Sequence, residues 1–260
     1  MNDIEYERMY RAEEHHWWYV ALHDLILRQL HHEAEKRGQL AILDAGCGTG
    51  RLMELMAPFG SVTGCDRSPL ALLFCSQRGL EDTFSADLNS ADLGRNCYDV
   101  ITSIDVLYHL AVQDELAILG RFRNAIKPGG CLILNLVAFE SLRSTHDIAV
   151  HTRRRYRRAE VMQLLRSAGF EVELLTYRPC LPFPALAAYR MLCGITTDTS
   201  KPEQVASDVV LPNPLLNRIM LKVCRAENWL IDNGARLPFG TSVFAVARRP
   251  TEASGIRKTP

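Results

Sequence analysis

The 260 residues of this chain suit one large α/β domain, or a core domain with a substantial insertion. Thirty basic and thirty acidic residues cancel, which argues against a nucleic-acid-binding protein, and no apolar run is long enough to span a bilayer. The eight cysteines form no C-x-x-C pair and no Cys/His cluster, and the acidic start does not resemble a signal peptide, so we expect reduced thiols, no metal and a cytoplasmic location.

Residues 1–38 are predicted to form an N-terminal helical lid made of two helices. The first covers residues 4–14, and the second covers residues 20–38 with apolar side chains along one side. Five ring side chains in a row, from His15 to Tyr19, join the two helices. Two interpretations stay open: the rings pin the helices to the core, or they form the walls of a substrate pocket. The candidate substrate contacts among them are His16, Trp17 and Trp18.

The most informative stretch follows at residues 40–50. An apolar run from Leu40 to Leu43 indicates a buried strand, Asp44 ends it, and glycines stand at alternate positions up to Gly50. Apolar residues at helical spacing resume after Gly50, so the order is strand, glycine loop and helix, with the helix N-terminus directed at a ligand over the loop. The nicotinamide fingerprint requires a third glycine where Arg51 stands, which disfavours an oxidoreductase.

Asp44 and the glycines form the pattern D-x-G-x-G-x-G, which resembles motif I of the class I S-adenosylmethionine (SAM) dependent methyltransferases. The resemblance implies that this loop holds the methionine and ribose portions of SAM. The cofactor contacts that it implies here are Asp44, Gly46, Cys47, Gly48 and Gly50.

A second strand, over residues 61–66, ends on Asp66, which lies 20 residues after Gly46. A carboxylate at this place presents two acceptor oxygens to the hydroxyl groups of a ribose. The alternative is that Asp66 caps the helix predicted over residues 70–78. We favour ribose binding because the glycine loop precedes it, and we include Arg67 among the cofactor contacts.

The third and fourth strands add further candidate cofactor contacts. The third strand covers residues 83–88 and carries Asp87 and Leu88 at its end. In the class I methyltransferases that this chain resembles, an acid at this position usually faces the adenine amino group, so we expect both residues at the cofactor. The fourth strand covers residues 98–103 and ends on Ser103, which we also expect there.

Residues 104–110 resemble the Asp-Val-Leu-Glu-His stretch that is frequent after the fourth strand in this superfamily. Tyr108 stands where glutamate is common, so we predict no metal site here and assign Tyr108 to the substrate pocket. His109 is either a general base or a helix-capping histidine, and both interpretations stay open.

The fifth-strand unit of the same superfamily has a clear counterpart in this chain. A helix over residues 112–125, a Lys-Pro-Gly-Gly turn over 127–130 and an apolar strand over 131–137 resemble it. With this unit, the resemblance extends over about residues 40–177. The Asn/Asp-Pro-Pro-Tyr/Phe tetrapeptide is absent after the fourth strand, which argues against the branches that methylate DNA and protein amides.

The loop of residues 138–156 follows the fifth strand, at the edge where open α/β sheets bind ligands. Uncharacterised bacterial members of the superfamily often carry a similar stretch with His-Asp and then His-x-Arg-Arg-Tyr. Its imidazoles offer a general base, and we expect His146 or His151 in that role, with His109 next. The arginines within residues 153–158 would hold an anionic acceptor, unless they only form a solvated helix start. The substrate contacts expected here are Asp147, Arg155 and Tyr156.

The rest of the chain is predicted to finish the sheet around an insertion. A helix over residues 159–168 and a sixth strand over 170–177 are followed by the final core strand within 241–250, and the polar tail 251–260 is expected to be disordered. Residues 178–240, which lie between the last two strands, hold seven prolines and two helical patches, at 184–192 and 215–231. This cap could pack on the domain, cover the substrate, form a dimer contact or lie on a membrane.

The sequence therefore predicts a doubly wound α/β fold with a seven-stranded, mostly parallel sheet and an antiparallel last strand. The resemblance implies a SAM-dependent methyltransferase, with S-adenosylhomocysteine as product, that methylates an O, N or C nucleophile of a small molecule. Natural products, sugars and isoprenoid or lipid-type intermediates all suit the aromatic lid, and the acceptor is anionic or lipid-linked. We expect a monomer or homodimer without nucleic acid as a partner. The alternative is a SAM-binding regulator without catalysis, or a partner-activated subunit.

Overall fold

The computed structural model describes residues 1–184 and 212–251. Their strands form one seven-stranded sheet with the order β3-β2-β1-β4-β5-β7-β6. The strands are β1 (Leu40–Ala45), β2 (Gly60–Asp66), β3 (Thr83–Ser85), β4 (Tyr98–Ile104), β5 (Ile126–Val137), β6 (Glu171–Arg178) and β7 (Ser242–Arg248). The helices are α1 (Asp3–Ala12), α2 (Trp17–Arg37), α3 (Arg51–Met56), α4 (Pro69–Gln77), α5 (Glu115–Ala125), α6 (Thr145–Ala149), α7 (Arg158–Ser167) and α8 (Pro214–Asp232).

The predicted topology is confirmed. Strands β1 to β5 pair in parallel, and β7 lies antiparallel between β5 and β6. Because β6 pairs antiparallel with β7, it runs in the same direction as the other strands. The carboxyl ends of β1, β2, β4, β5 and β6 therefore meet at one edge of the sheet, where such folds bind their ligands.

Helices cover both faces of the sheet, which explains why the central strands are apolar on both sides. On one face, Ile118 and Phe122 of α5 and Val161 of α7 pack in the same core as Leu43 and Ile101. On the other face, α2 and α8 cover a second core, whose buried side chains include Leu25, Ile26, Ile42, Val100, Ile133 and Ile231.

Helix α8 is joined to α2 by buried polar contacts as well as by apolar ones. The Asn217 side chain accepts a hydrogen bond from the Trp17 amide at 2.9 Å, and the Asn228 side chain donates to the Ala21 carbonyl at 2.7 Å. Trp17 is buried against Ala21 and Cys224. Trp17 thus joins α2 to α8, a helix of the insertion, rather than directly to the sheet.

Several predicted boundaries differ from the structure for local reasons. Strand β3 ends at Ser85 because the Asp87 side chain organises a turn, in which it accepts the Asn89 amide at 3.0 Å. Helix α5 begins only at Glu115, since Asp114 caps it through the Ala117 amide at 3.0 Å. The predicted turn over residues 127–130 lies within β5, where the register with β4 shifts.

Two predictions fall largely outside the described residues: the helical patch at 184–192 and the tail at 251–260. The second patch, predicted over 215–231, is helix α8. Within residues 1–184 and 212–251, no helix combines the length and the apolar character needed to cross a bilayer.

Candidate functional site

The glycine loop is a tight turn that is fixed to the neighbouring strand. The amides of Gly46 and Cys47 both donate to the Cys65 carbonyl, at 2.7 and 3.0 Å. Gly46 has φ +90°, and a Cβ at this position would collide with the Val106 side chain. Gly48 has φ +54°. At Gly46 the positive φ and the Val106 side chain together require glycine, and at both positions the absence of a side chain lets other groups approach the backbone closely.

Asp66 lies at the end of β2, directly beside this loop. One carboxylate oxygen accepts the Gly48 amide at 3.0 Å, and the other accepts the Ser68 amide at 2.8 Å. Burial raises the pKa of Asp66, and the hydrogen bonds from Ser68 and Gly48 oppose that rise. The cap of α4 is Ser68, whose side chain accepts the Ala71 amide. Each carboxylate oxygen of Asp66 keeps further acceptor capacity for a ligand hydroxyl group.

Two other predicted cofactor residues are buried where β1 and β4 meet. Asp44 is 2 % exposed and accepts the Thr102 hydroxyl at 2.7 Å, and burial raises the pKa of its carboxyl to about 7. Ser103, next to Thr102, is fully buried, and its hydroxyl has no hydrogen-bond partner in the part of the chain that the structure describes.

The remaining predicted cofactor residues follow β2 and β3. The Asp87 carboxylate accepts both the amide and the side chain of Asn89, at 3.0 and 2.7 Å, and the amide hydrogen bond is the largest reason why its pKa is lowered. Leu88 is buried, whereas Arg67 is exposed. Asp87 therefore shapes the turn after β3, and the side chain of Leu88 faces the core.

Helix α1 lies over the glycine loop. A Cβ on Gly48 would meet the methyl group of Met9 at 2.9 Å. Glu13 accepts a hydrogen bond from the Thr49 hydroxyl and pairs with Arg78 at 2.9 Å. The Tyr10 ring stacks on Phe74 of α4 with centroids 4.7 Å apart. Residues that sequence reasoning did not single out thus place a helix across the predicted cofactor loop.

The first turn of α2 presents aromatic rings to the same end of the sheet. His16 caps the helix by accepting the Trp18 amide at 3.2 Å, and burial lowers the pKa of His16 to about 4. Trp18 and Tyr19 meet edge to face at 5.0 Å. Trp18 also lies 5.9 Å from the guanidinium group of Arg178. Trp18 and Tyr19 are only partly buried, so they line an accessible surface.

Asp105 is a candidate site residue that the sequence prediction did not include. It follows β4 with φ +59°, and the Asn135 side chain donates to its two carboxylate oxygens at 3.0 and 3.1 Å. Burial raises the pKa of Asp105 to about 7. The adjacent Tyr108 is buried, and the same desolvation raises its pKa well above the ordinary range. The signal for Asp105 was present in the sequence, as the acid directly after the fourth strand.

The structure brings two of the three predicted bases together. The rings of His109 and His151 lie 5.5 Å apart, and burial lowers the pKa of both, to about 4 for His109. Both nitrogens of each ring are engaged: the Met1 amino group lies 2.8 Å from His109 and 3.3 Å from His151, and the other nitrogens meet the Ala111 amide and the Asn2 side chain. His146 lies apart from them in sequence, on α6.

The residues of the arginine loop that were predicted to contact the substrate are hydrogen-bonded within the protein. Arg155 donates to both carboxylate oxygens of Asp147, at 2.8 and 2.9 Å, and to the Ala138 carbonyl at 2.9 Å. The Tyr156 hydroxyl donates to Glu115 at 2.9 Å. These contacts give Asp147, Arg155 and Tyr156 a structural role and leave the loop without an exposed bidentate arginine at these positions.

The comparisons with known proteins agree on one family. The profile of the methyltransferase domain matches residues 42–130. The ubiquinone biosynthesis O-methyltransferase of Thiobacillus denitrificans is 30% identical over 194 residues, which cover 62% of this chain and 81% of that protein. Its counterpart in Pseudomonas paraeruginosa is 28% identical over 215 residues, or 69% of this chain and 90% of that protein.

A solved structure supports the same fold. The SAM-dependent methyltransferase of Mesorhizobium loti superposes with a TM-score of 0.54 and 17% identity, covering 85% of this chain and 96% of that one. At this level of identity, the similarity establishes the fold alone.

Proposed function

Because this chain belongs to the class I SAM-dependent methyltransferases, we propose that the glycine loop and Asp66 hold SAM and that the methyl acceptor lies beside Asp105. The chain is an enzyme of small-molecule methylation, and its curated relatives transfer methyl groups to oxygen in ubiquinone biosynthesis, as their names state. We propose the same reaction type here: O-methylation of a small ring-containing acceptor. The aromatic rings at the start of α2 suit such a molecule.

One observation carries the cofactor part of the proposal: the carboxylate of Asp66 accepts the amide of Gly48 and so stands directly beside the glycine loop. The residues present fit SAM, since Gly46 and Gly48 carry no side chain on the loop and Asp66 can accept two ribose hydroxyl groups. When bound, SAM supplies an electrophilic methyl group on a sulfonium centre. Asp44, Cys47, Gly50, Arg67, Asp87, Leu88 and Ser103 stay predicted cofactor contacts.

The protein's own contribution is to orient the acceptor, exclude water and receive its proton. We assign the proton to the carboxylate of Asp105, because a pKa of about 7 leaves it partly ionised at neutral pH. The histidines predicted as bases are weaker candidates, since hydrogen bonds occupy both ring nitrogens of His109 and His151.

The segments around the core complete the proposal. Residues 1–38 would serve as the lid, with α1 over the cofactor loop and Trp18 and Tyr19 of α2 over the acceptor. Residues 178–240 would serve as the cap, of which α8 is the part that contacts α2. Insertions at this edge of the fold are natural places for substrate specificity.

Calorimetric titration tests the cofactor assignment. SAM and S-adenosylhomocysteine should bind the wild-type enzyme with micromolar affinity, and NADH should not bind. Asp66→Asn should weaken SAM binding by about tenfold to a hundredfold, because a charged acceptor of hydrogen bonds is replaced by a neutral amide. Asp92→Asn, at an exposed acid between β3 and β4, is the matched control and should bind as the wild type does.

Failure of SAM to bind the wild type would refute the proposal, and equal binding to Asp66→Asn would refute the role of Asp66. Turnover separates an enzyme from a regulator. Incubation with SAM and catechol-type phenols should release S-adenosylhomocysteine, whereas a regulator that only binds SAM would release none with any acceptor.

A further inference from the structure

Arg178 is a fully buried arginine at the carboxyl end of β6. It is 1 % exposed and lies on the sheet face that α2 and α8 cover. The partly exposed ring of Trp18 is its aromatic neighbour, at 5.9 Å. Arg178 therefore lies behind the first turn of α2, at the same edge of the sheet as Asp105.

None of the guanidinium nitrogens of Arg178 has a hydrogen-bond partner among the described residues. The acids that influence it electrostatically are held elsewhere. Glu227 accepts the amides of Cys180 and Leu181, Asp105 is bound by Asn135, and Asp24 pairs with Arg28 and accepts Asn228. A buried cation without partners is costly, because its desolvation is not offset by hydrogen bonds.

A second buried arginine shows what a structural role looks like in this protein. The side chain of Arg155 is as deeply buried as that of Arg178, but it makes three hydrogen bonds, two of them to Asp147. Arg178 has the same five donors in a planar fork and uses none of them within the described chain. The fork matches the geometry of a carboxylate or phosphate group.

We infer that Arg178 binds the anionic group of the methyl acceptor, which is a small aromatic molecule carrying a carboxylate or a phosphate. The inference rests on the proposed function. Arg178 and Asp105 lie at the same edge of the sheet and form no ion pair with each other, and the acceptor would place its oxyanion on Arg178 and its nucleophilic group at Asp105. The rings of Trp18 and Tyr19 would contact the aromatic part.

This assignment changes the place where an anionic acceptor is held. The run of arginines after His151 predicts anion binding, but Arg155 is saturated by Asp147. The nitrogens of Arg178 are sealed from solvent, so an oxyanion that reaches them displaces covering side chains close to the Trp18 ring, which lies 5.9 Å from the guanidinium group. Binding of an anion should therefore change the fluorescence of Trp18.

Matched aromatic probes test the inference on the whole enzyme in the presence of SAM. Benzoate and phenyl phosphate represent the two oxyanions, and benzamide is the neutral counterpart of benzoate. At least one anion should bind with a dissociation constant of about 1 mM or lower and change tryptophan fluorescence, and benzamide should bind at least tenfold more weakly. Trp18→Phe should abolish the fluorescence change, and the better anion shows which oxyanion the site takes.

Substitution of Arg178 gives two further readouts. Arg178→Met should lose at least tenfold in binding of the anion and keep SAM binding. Without ligand, it should melt at the wild-type temperature or about 2–4 °C higher, because a buried cation without partners is replaced by an apolar side chain. Arg178→Lys keeps the charge but not the fork, and should bind the anion weakly while folding normally. Arg95→Met, at an exposed arginine, should change nothing.

Several results would overturn the inference. These are equal binding of benzoate and benzamide, no binding of either anion at about 10 mM, or unchanged binding in Arg178→Met. A ligand-free Arg178→Met enzyme that melts clearly lower or does not fold would show that the arginine is structural. If the wild-type enzyme did not bind SAM, the proposed function itself would be refuted, so the two failures are distinguishable.

Discussion

The buried pair of Arg155 and Asp147 should be one of the main contributors to the stability of the loop after β5. Both side chains are at most 1 % exposed, and two hydrogen bonds of 2.8 and 2.9 Å join them. Arg155→Met would leave the Asp147 carboxylate buried without its cation and remove the donor to the Ala138 carbonyl. Breaking a buried pair in this way costs about 3–5 kcal/mol.

Urea unfolding followed by circular dichroism measures this cost as the change in the free energy of unfolding. The double variant Arg155→Met with Asp147→Leu removes both charges and should be more stable than Arg155→Met alone. Arg11→Met breaks a surface pair with Glu7, whose side chains are 81% and 52% exposed, and should cost at most about 1 kcal/mol.

The pair also has a pH signature. Burial alone would raise the pKa of Asp147, but the hydrogen bonds and charge of Arg155 outweigh burial and lower it. A lowered folded-state pKa stabilises the protein above the unfolded-state pKa, and this contribution disappears as the pH falls through the folded-state value. If Arg155→Met cost less than about 1 kcal/mol and abolished acceptor binding, Arg155 would be a substrate contact and the structural reasoning would be wrong.

Three other measurements test further parts of the structure. Gly48→Ala should weaken SAM binding, because φ is +54° and the new methyl group would stand on the loop that the cofactor approaches. Unchanged binding by calorimetry would contradict this. Because Asp105 has a pKa of about 7, kcat/KM should rise with pH to a plateau above pH 7. Asp105→Asn should remove this rise. An identical pH profile in the variant would exclude Asp105 as the general base. Burial would raise the pKa of Glu33, but the hydrogen bonds of Arg248 outweigh burial and lower the pKa to about 2. The stability of the wild type should therefore decline as the pH falls from about 4.5 towards 2, and that of Glu33→Gln should decline less. Acid titration of the folded protein measures the difference.

Sequence patterns were sufficient for the sheet and for the strand ends at which the predicted cofactor residues stand. The run before Asp44, the alternating glycines and the acid after the next strand are local signals, because each is set by one strand end. The antiparallel direction of β7 followed from the resemblance, whereas its place between β5 and β6 is known from the structure. The cofactor contacts at Asp66 and Asp87 stay predictions.

The residues that contact the methyl acceptor were harder to predict, because the role of a charged residue depends on its partners in space. Arg155 and Arg178 look alike in the sequence, yet one is saturated by Asp147 and the other has no hydrogen-bond partner among the described residues. Asp105 shares this difficulty, since its raised pKa comes from burial by distant elements. The position of α1 over the glycine loop likewise depends on packing between Tyr10 and Phe74, which no local pattern encodes.

The position of β7 has a consequence for how the chain is synthesised. Val137 of β5 and Arg178 of β6 both face Ser242, although β7 leaves the ribosome more than sixty residues after β6 ends. Until then, two strand edges with unpaired amides and carbonyls border an incomplete sheet. Such edges can pair with strands of other chains. The nascent protein is therefore exposed to aggregation until β7 has been synthesised, and the finished enzyme is not. Growth temperature and chaperone supply should therefore govern its yield more strongly than its final stability does.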